Sequence, residues 1–171
     1  MKKLILICAL ALAACGEKPT PPEAPKAAAQ FGNIEISQMR VRLPPNGTET
    51  TAAYFTIKNN GDKEIKIKSG SADIAGSVEL HAHFKDDTGM MQMRQIMEVA
   101  IPAHETIVLQ PGGLHLMLFK VKNDLSLGQM ANITLNFDDN TTANFTAPIV
   151  ANPALPKAEH GDMKHEGHEG N

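Results

Sequence analysis

The chain has 171 residues, a formal net charge of −3 at pH 7, no tryptophan and a single tyrosine, Tyr54. Its length supports one domain of ordinary size with appendages. Removal of Lys2 and Lys3 with an N-terminal signal would lower the net charge to −5, and a negatively charged protein with so few aromatic side chains is poorly suited to bind a phosphate backbone. The composition therefore excludes nucleic acid as an expected partner.

The N-terminal residues have the pattern of an export signal. Two lysines precede an apolar run of eleven residues, 4–14, which is short for a bilayer span but typical of a signal-peptide core. The run leads into Leu-Ala-Ala-Cys at 12–15, which resembles the bacterial lipobox and predicts that residues 1–14 are removed and that Cys15 carries lipid. The alternative is an ordinary signal peptide with this cysteine near the cleavage site by chance. Because Gly16 rather than aspartate follows, the pattern indicates a periplasm-facing lipoprotein of the outer membrane.

These assignments leave the mature domain without a thiol. Cys8 lies in the predicted signal peptide and Cys15 is the predicted lipid carrier, and the chain has no other cysteine. Thiolates in an oxidising compartment are prone to oxidation, so a site for a soft metal ion is expected to use thioethers. Residues 15–30, which hold four prolines, predict a tether between lipid and domain.

From residue 31 to residue 151 the sequence consists of short segments separated by Gly, Pro and Asn turn signals. No segment has a sustained helical period, and Ile65 to Lys68 alternates apolar and charged residues as a half-buried strand does. This pattern predicts an all-β domain, 31–151, built as an antiparallel β-sandwich. The predicted strands are 34–36, 39–41, 53–58, 65–68, 77–84, 90–96, 106–109, 114–121, 133–137 and 143–150, of which 77–84 and 90–96 form a hairpin.

One stretch of the domain, 81–117, concentrates soft metal ligands. It contains His-x-His at 81–83, Met-x-Met at 91–93 and His-x-Met at 115–117, and side chains two apart on a strand point to one face. Cu(I) is a soft ion that suits thioether sulfur and neutral imidazole. Three leucines alternate with His115 and Met117 and are expected to face the core, which turns both donors outward. The pattern predicts a Cu(I) site, against the alternative of core methionines and surface histidines.

Two segments within this stretch, VELHAHFKDDTGMMQMRQI and LQPGGLHLMLF, resemble the PCuAC family of periplasmic copper(I) chaperones. The family pattern is His, ten residues, Met, twenty-one residues, then His-x-Met. Twenty-one residues separate Met93 from His115, and Met117 completes the pattern. Eleven residues separate His81 from Met93 and nine separate His83 from it, so neither histidine matches the first gap.

The resemblance covers residues 32–150 and implies a cupredoxin-like Greek-key sandwich. It also implies a set of copper ligands, with one extra residue placed in the hairpin turn. His83 remains an alternative to the first ligand, and Met91 an alternative to the second, although Met93 keeps the family position before an arginine. The implied ligands are His81, Met93, His115 and Met117.

The resemblance further implies that the protein captures Cu(I) in the envelope and delivers it to a copper-receiving protein, such as a cytochrome oxidase subunit or another copper chaperone. The alternative is a copper-sequestering lipoprotein without a delivery partner. An enzyme is not expected, because no acid–base pair or nucleophile motif is evident. A blue-copper electron carrier would need a cysteine thiolate, and a plain β-sandwich interaction module would bind no Cu(I) tightly.

The C-terminal residues 152–171 are polar and glycine-dotted, which predicts a disordered tail. Such a tail could wrap Cu(II) through imidazoles or add thioether ligands for Cu(I), and the alternative is a solvated tail with incidental histidines. His104, in a predicted loop, is expected to be a surface residue without a metal role. The candidate ligands of the tail are His160, Met163, His165 and His168.

Overall fold

The computed structural model describes residues 28–45, 47–151 and 153. The predicted signal peptide, the predicted lipidation site Cys15, most of the predicted tether and the candidate ligands of the tail lie outside these residues. The described part of the chain is built from strands, which confirms the all-β prediction. Within that part, no helix is long and apolar enough to cross a membrane.

Eleven strands follow one another along the described residues. The predicted segments 34–36 and 39–41 form one strand, whose pairing register shifts around Gln38, a residue with a φ of 53°. Two strands of three residues each were not predicted, and the first of them overlaps the end of the predicted tether. The strands are β1 (Ala29–Phe31), β2 (Ile34–Arg42), β3 (Thr50–Asn59), β4 (Ile65–Ala72), β5 (Ser77–Lys85), β6 (Met91–Gln95), β7 (Val99–Ile101), β8 (Thr106–Leu109), β9 (His115–Phe119), β10 (Met130–Phe137) and β11 (Thr142–Val150).

The strands form a sandwich whose two layers share β11. One layer has the order β6-β5-β9-β3-β2-β11 and the other continues β11-β10-β4-β7, while β1 pairs with β2 and β8 with β3. The pairings among the described residues are antiparallel except that of β11 with β2, which is parallel. This one parallel pairing makes the sheet mixed, and the β-sandwich agrees with the prediction.

The period-two alternation of apolar residues places the core between the layers. Leu116 and Leu118 of β9 are fully buried, as predicted, and Leu80 of β5 lies opposite Leu116 on the same face. The rings of Phe55 on β3 and Phe145 on β11 meet edge to face with their centroids 5.4 Å apart. A shift of one residue in register would exchange the two faces of a strand, so this core fixes which residues of β5 and β9 point outward.

Candidate metal centre

Three strands bring the predicted donor residues together on the outer face of the first layer. His81 lies opposite His115 in the β5–β9 ladder, and His83 lies opposite Met93 in the β5–β6 ladder. Met117 lies two residues beyond His115 on β9 and therefore on the same face. Since directly opposed side chains have Cβ atoms about 4.5–5.5 Å apart, these five residues form one patch.

His115 is the centre of this patch. Its Nδ1 lies 3.0 Å from the carbonyl oxygen of Gly113 and its Nε2 lies 3.2 Å from the Sδ of Met93. The residue is only 4% exposed. Burial lowers the pKa of His115, the hydrogen bond to Gly113 opposes this effect, and the neighbouring His83 and His81 lower the pKa further. The neutral imidazole is therefore favoured, which is the form that binds a metal ion.

The contact between His115 and Met93 joins two metal-donor atoms. A carbonyl oxygen can only accept a hydrogen bond, so Nδ1 of His115 carries the proton and Nε2 of the neutral ring has a free lone pair. This lone pair and the thioether sulfur of Met93 converge at 3.2 Å. Neither atom has a charge, and neither is a hard oxygen ligand, so the pair suits a soft monovalent ion.

A cleft of about 380 Å³ opens beside these two donors. Its lining includes His83 and Met117, so that two imidazoles and two thioethers face a common space. No group of three His, Cys, Asp or Glu side chains in the described residues is arranged to hold a metal ion, and the donors that do converge are mixed nitrogen and sulfur. The cleft is lined by Arg42, Pro45, Thr48, Thr50, Thr51, Ala52, Tyr54, His83, Met93, Pro111, Gly112, His115 and Met117.

His81 and His83 occupy different positions around His115. Their ring centroids lie 5.8 Å and 5.4 Å from that of His115, respectively. His83 lines the cleft and its Nδ1 lies 3.3 Å from the carbonyl oxygen of Gly113. His81 is buried and does not line the cleft, and its Nε2 lies 2.9 Å from Oε2 of Glu79. The structure brings both histidines to the patch, and the choice between them as first ligand stays a prediction.

A buried cation lies on β2, which is separated from the His115 strand β9 by β3. The guanidinium carbon of Arg40 is 5.8 Å from the ring centroid of Tyr54, whose ring is 6.4 Å from that of His115. Burial lowers the pKa of Arg40 and raises that of Tyr54, so burial disfavours the charged form of each. Arg42, which lines the cleft, is a second cation near the donors. Because like charges repel more strongly where water is excluded, these cations oppose a divalent ion more than a monovalent one.

The remaining candidates lie around or outside the patch. Met91 is exposed on β6, opposite Lys85, and Met90 is exposed in the turn before it. His104 is exposed in the turn before β8, where its Nε2 lies 3.1 Å from Oδ1 of Asp62. The four candidate ligands of the tail lie outside the described residues, so the structure brings them to no site.

Sequence reasoning missed two groups that hold the histidines. Glu79 contacts His81, and the carbonyl of Gly113 contacts both His83 and His115. The spacing Glu79-x-His81 on a strand could have revealed the first, because residues two apart share a face. No side-chain pattern reveals a backbone carbonyl, since its direction depends on the turn at 110–114.

A larger cavity, of about 690 Å³, lies at the other end of β3. Its lining includes Asn59, Lys63, Glu64 and Asp139 but no histidine or methionine. The smaller cleft is therefore the candidate centre, because histidine and methionine side chains line it and do not line the larger cavity.

Comparison with known proteins places this fold in one class, the cupredoxin-like β-sandwiches of PCuAC domains. The family model described as "Putative lipoprotein LpqE-like" matches residues 34–149. The solution structure of CuI-DR1885 from Deinococcus radiodurans is 34% identical, covers 67% of this chain and 76% of its own, and has a TM-score of 0.56. The copper-bound PCuAC domain from PmoF2 is 20% identical, covers 74% and 99% of the two chains, and has a TM-score of 0.63, which shows the shared fold.

Among curated proteins, "Putative lipoprotein Lxx21020" from Leifsonia xyli is 29% identical over 129 residues, or 75% of this chain and 76% of the relative. The family model covers more than half of the chain, and the similarity to DR1885 extends over most of that protein. The chain belongs to the LpqE-like family of PCuAC proteins.

Proposed function

We propose that this protein binds Cu(I) with histidine and methionine ligands and delivers it to another protein of the cell envelope. The observation that carries the proposal is the convergence of Nε2 of His115 and Sδ of Met93 at 3.2 Å beside a cleft that Met117 also lines. Neutral nitrogen and thioether ligands keep the +1 charge of the ion and select Cu(I) over hard cations. The similar structures described as a CuI form of DR1885 and a copper-bound PCuAC domain from PmoF2 support copper as the bound ion.

The ligand set of this proposal is His81, Met93, His115 and Met117. His81 lies directly opposite His115, and its Nδ1 is buried without a hydrogen-bond partner among the described residues. His83 competes for this role because it lines the cleft and lies opposite Met93. His81→Ala is expected to weaken Cu(I) binding more than His83→Ala does, and the reverse order would transfer the role to His83.

A competition titration against a Cu(I)-specific chelator tests the binding step. One equivalent of Cu(I) should resist the chelator, and the histidine and methionine-methyl NMR signals of the four ligands should shift together at that ratio. Binding no tighter than that of a β-sandwich without soft ligands would contradict the proposal. Such weak binding would indicate that the protein is a plain β-sandwich interaction module.

Transfer distinguishes delivery from sequestration, the second candidate function. Delivery and sequestration require the same ligands, His115 and Met93 among them. Met93 is partly exposed on the edge strand β6, and this exposure favours delivery because a receiving protein can reach it. The copper-loaded protein should pass Cu(I) to the metal-free copper domain of a cytochrome oxidase. If that domain takes up free Cu(I) but none from the protein, sequestration becomes the function. We propose no catalytic role.

The proposal extends to the two ends of the chain. Cys15 is the proposed lipid carrier that places the domain at the periplasmic side of the outer membrane, and the lipoprotein relatives support this anchor. The tail is proposed to bind copper, as Cu(II) or Cu(I), in the neighbourhood of the cleft. Val150 pairs with Arg42, and Arg42 lines the cleft, so β11 ends beside the centre. Removal of residues 154–171 should abolish a second equivalent of bound copper and leave the first.

A further inference from the structure

Each histidine of the patch has one ring nitrogen in contact with a hydrogen-bond acceptor, and the acceptor of His81 differs from the one that His83 and His115 share. For His83 and His115 the acceptor is the carbonyl oxygen of Gly113, at 3.3 Å and 3.0 Å from Nδ1. For His81 the acceptor is the carboxylate of Glu79, at 2.9 Å from Nε2. The rings of His81 and His83 both lie within 6 Å of that of His115, yet His81 is held through Nε2 and the other two through Nδ1.

These contacts determine where each neutral ring keeps its proton. A carbonyl oxygen and an ionised carboxylate accept hydrogen bonds and donate none, so the nitrogen that touches them is protonated. His83 and His115 are therefore Nδ1–H tautomers, with the lone pair on Nε2. His81 is the Nε2–H tautomer, with the lone pair on Nδ1. A metal ion binds the nitrogen that carries the lone pair, and a hydrogen bond to the other nitrogen fixes the tautomer.

The free nitrogen of His81 has a second distinguishing property. Its Nδ1 is buried and has no hydrogen-bond partner among the described residues. A buried acceptor without a partner is uncommon in proteins and calls for an explanation, of which a bound ion is one. Because His81 lies opposite His115, this unpaired nitrogen belongs to the same patch as the convergent pair of His115 and Met93.

Glu79 is well placed to select this tautomer. It lies two residues before His81 on β5 and opposite Met117 on β9, so its side chain is on the same outer face as the proposed ligands. About a third of its side-chain surface is exposed. The carboxylate therefore reaches His81 from the solvent side while the opposite edge of the imidazole points into the buried region.

We infer that Glu79 is a positioning residue that makes His81 bind copper through Nδ1, whereas His115 binds through Nε2. The inference rests on the proposed function, because it concerns how one proposed ligand presents its donor atom. It assigns to Glu79 a role at the centre without direct contact with the metal.

Nitrogen-15 NMR of the copper-free protein with labelled histidine tests the tautomers first. At pH 8 the spectra should report Nε2–H for His81 and Nδ1–H for His115 and His83. Glu79→Gln keeps an acceptor oxygen and should preserve the single His81 tautomer, whereas Glu79→Ala removes the acceptor and should let the Nδ1–H form appear beside the Nε2–H form. Glu105→Ala, which removes an exposed carboxylate from the turn before β8, serves as the matched control and should change nothing. A wild-type His81 ring with the proton on Nδ1 would overturn the inference.

Titration with Ag(I), a redox-stable substitute for Cu(I), then tests the donor atoms. Nδ1 of His81 and Nε2 of His115 should shift at one equivalent. Glu79→Ala should weaken Cu(I) binding by about tenfold, the lower end of the usual effect of such supporting groups, and Glu79→Gln should recover most of that loss. A shift of Nε2 of His81, or of His83 in its place, overturns the inference. If no histidine signal shifts on addition of the metal, the proposed function fails, but the tautomers assigned in the copper-free protein are unaffected.

Discussion

At the residue scale, the chemistry of the candidate centre depends on keeping its donors neutral. Burial lowers the pKa of His115, and the partner of its Nε2 is a thioether, which has no proton to lose. Charged groups near these donors include Arg42, which lines the cleft, the buried Arg40 beside Tyr54, and the carboxylate of Glu79 next to His81. The donors are thus uncharged and have two arginines in their neighbourhood, which suits a soft +1 ion better than a hard divalent one.

Substitution of Met93 by leucine tests the thioether directly. Met93→Leu keeps the apolar volume but removes the sulfur that meets Nε2 of His115, so we expect Cu(I) affinity to fall by at least about tenfold, or 1.4 kcal/mol. Because Met93 is 45% exposed, thermal stability should change little. Met97→Leu is the matched control, since Met97 is 81% exposed. Chelator competition measures both variants, and equal affinities would remove Met93 from the ligand set.

At the element scale, the turn between β8 and β9 positions the acceptor that two histidines share. The amide of Gly113 donates to the carbonyl of Gln110, and the amide of Gln110 donates to the carbonyl of Leu114. Gly112 has a φ of +77°, in the left-handed region that disfavours a side chain. The direction of the Gly113 carbonyl therefore depends on the glycine that precedes it.

Gly112→Ala should both destabilise the domain and disturb the centre. An alanine Cβ would meet no atom within 4 Å, so the cost is the left-handed conformation alone, about 1 kcal/mol. Displacement of the Gly113 carbonyl should also lower Cu(I) affinity. Gly32→Ala, at a φ of +60° in the β1–β2 turn, likewise meets no atom within 4 Å and should cost similar stability with unchanged affinity. Urea unfolding and chelator competition measure the two effects, and a parallel response of both variants would argue against a positioning role for the turn.

An ion-pair cluster joins β4 to the residue before β7. The carboxylate of Glu98 lies 2.7 Å from Nζ of Lys66 and 2.7 Å from Nζ of Lys68, and the hydrogen bonds to these lysines lower the pKa of Glu98 to about 2. A carboxyl group with a depressed pKa stabilises the fold above its unfolded pKa and loses this contribution as pH falls through the folded value. The relevant window lies between about pH 4.5 and about pH 2.

Glu98→Gln should therefore flatten the acid side of the stability curve. Between pH 4.5 and pH 2 the melting temperature of the wild type should fall more steeply than that of the variant. The cluster is exposed, so high salt should reduce the difference. Melting curves across this pH range at low and high ionic strength provide the measurement, and parallel curves would mean that the cluster contributes nothing to stability.

At the scale of the whole molecule, the centre lies at one end of the sandwich. The cleft adjoins the start of β3 and the end of β2, and the larger cavity adjoins the other end of β3. β11 ends beside Leu43, whose amide donates to the carbonyl of Val150 at 2.8 Å. The last described strand therefore ends at the end of the sandwich that holds the cleft.

Replacement of the predicted lipid carrier tests the anchor. Cys15→Ser should abolish incorporation of labelled fatty acid because it removes the thiol to which lipid is attached. Cys8→Ser is the control, and it should leave labelling intact because Cys8 lies in the predicted signal peptide. Cu(I) affinity should be the same in both variants, since the centre lies within the sandwich. Fatty-acid labelling of the first variant would refute the assignment of the lipid to Cys15.

Much of the fold followed from periodicity, because strand alternation and turn residues are local properties. The predicted segment 106–109 coincides with β8, and 77–84 differs from β5 by one residue. The short β7, the single strand β2 and the parallel pairing of β11 with β2 could not be predicted. A three-residue strand carries too little pattern, and the direction of pairing between distant strands depends on how the layers close.

The sequence by itself determined the donor types, their spacing along the strands and the family, since each of these follows directly from the order of the residues. Tertiary structure decided which donors meet. Pairing of β5 with β6 and β9 brought Met93 to Nε2 of His115 and placed the rings of His81 and His83 within 6 Å of that ring. It also supplied Glu79 and the Gly113 carbonyl as the acceptors that orient the imidazoles. The physical reason is that a ligand's lone pair has a direction, and only the packed strands and their turns determine that direction.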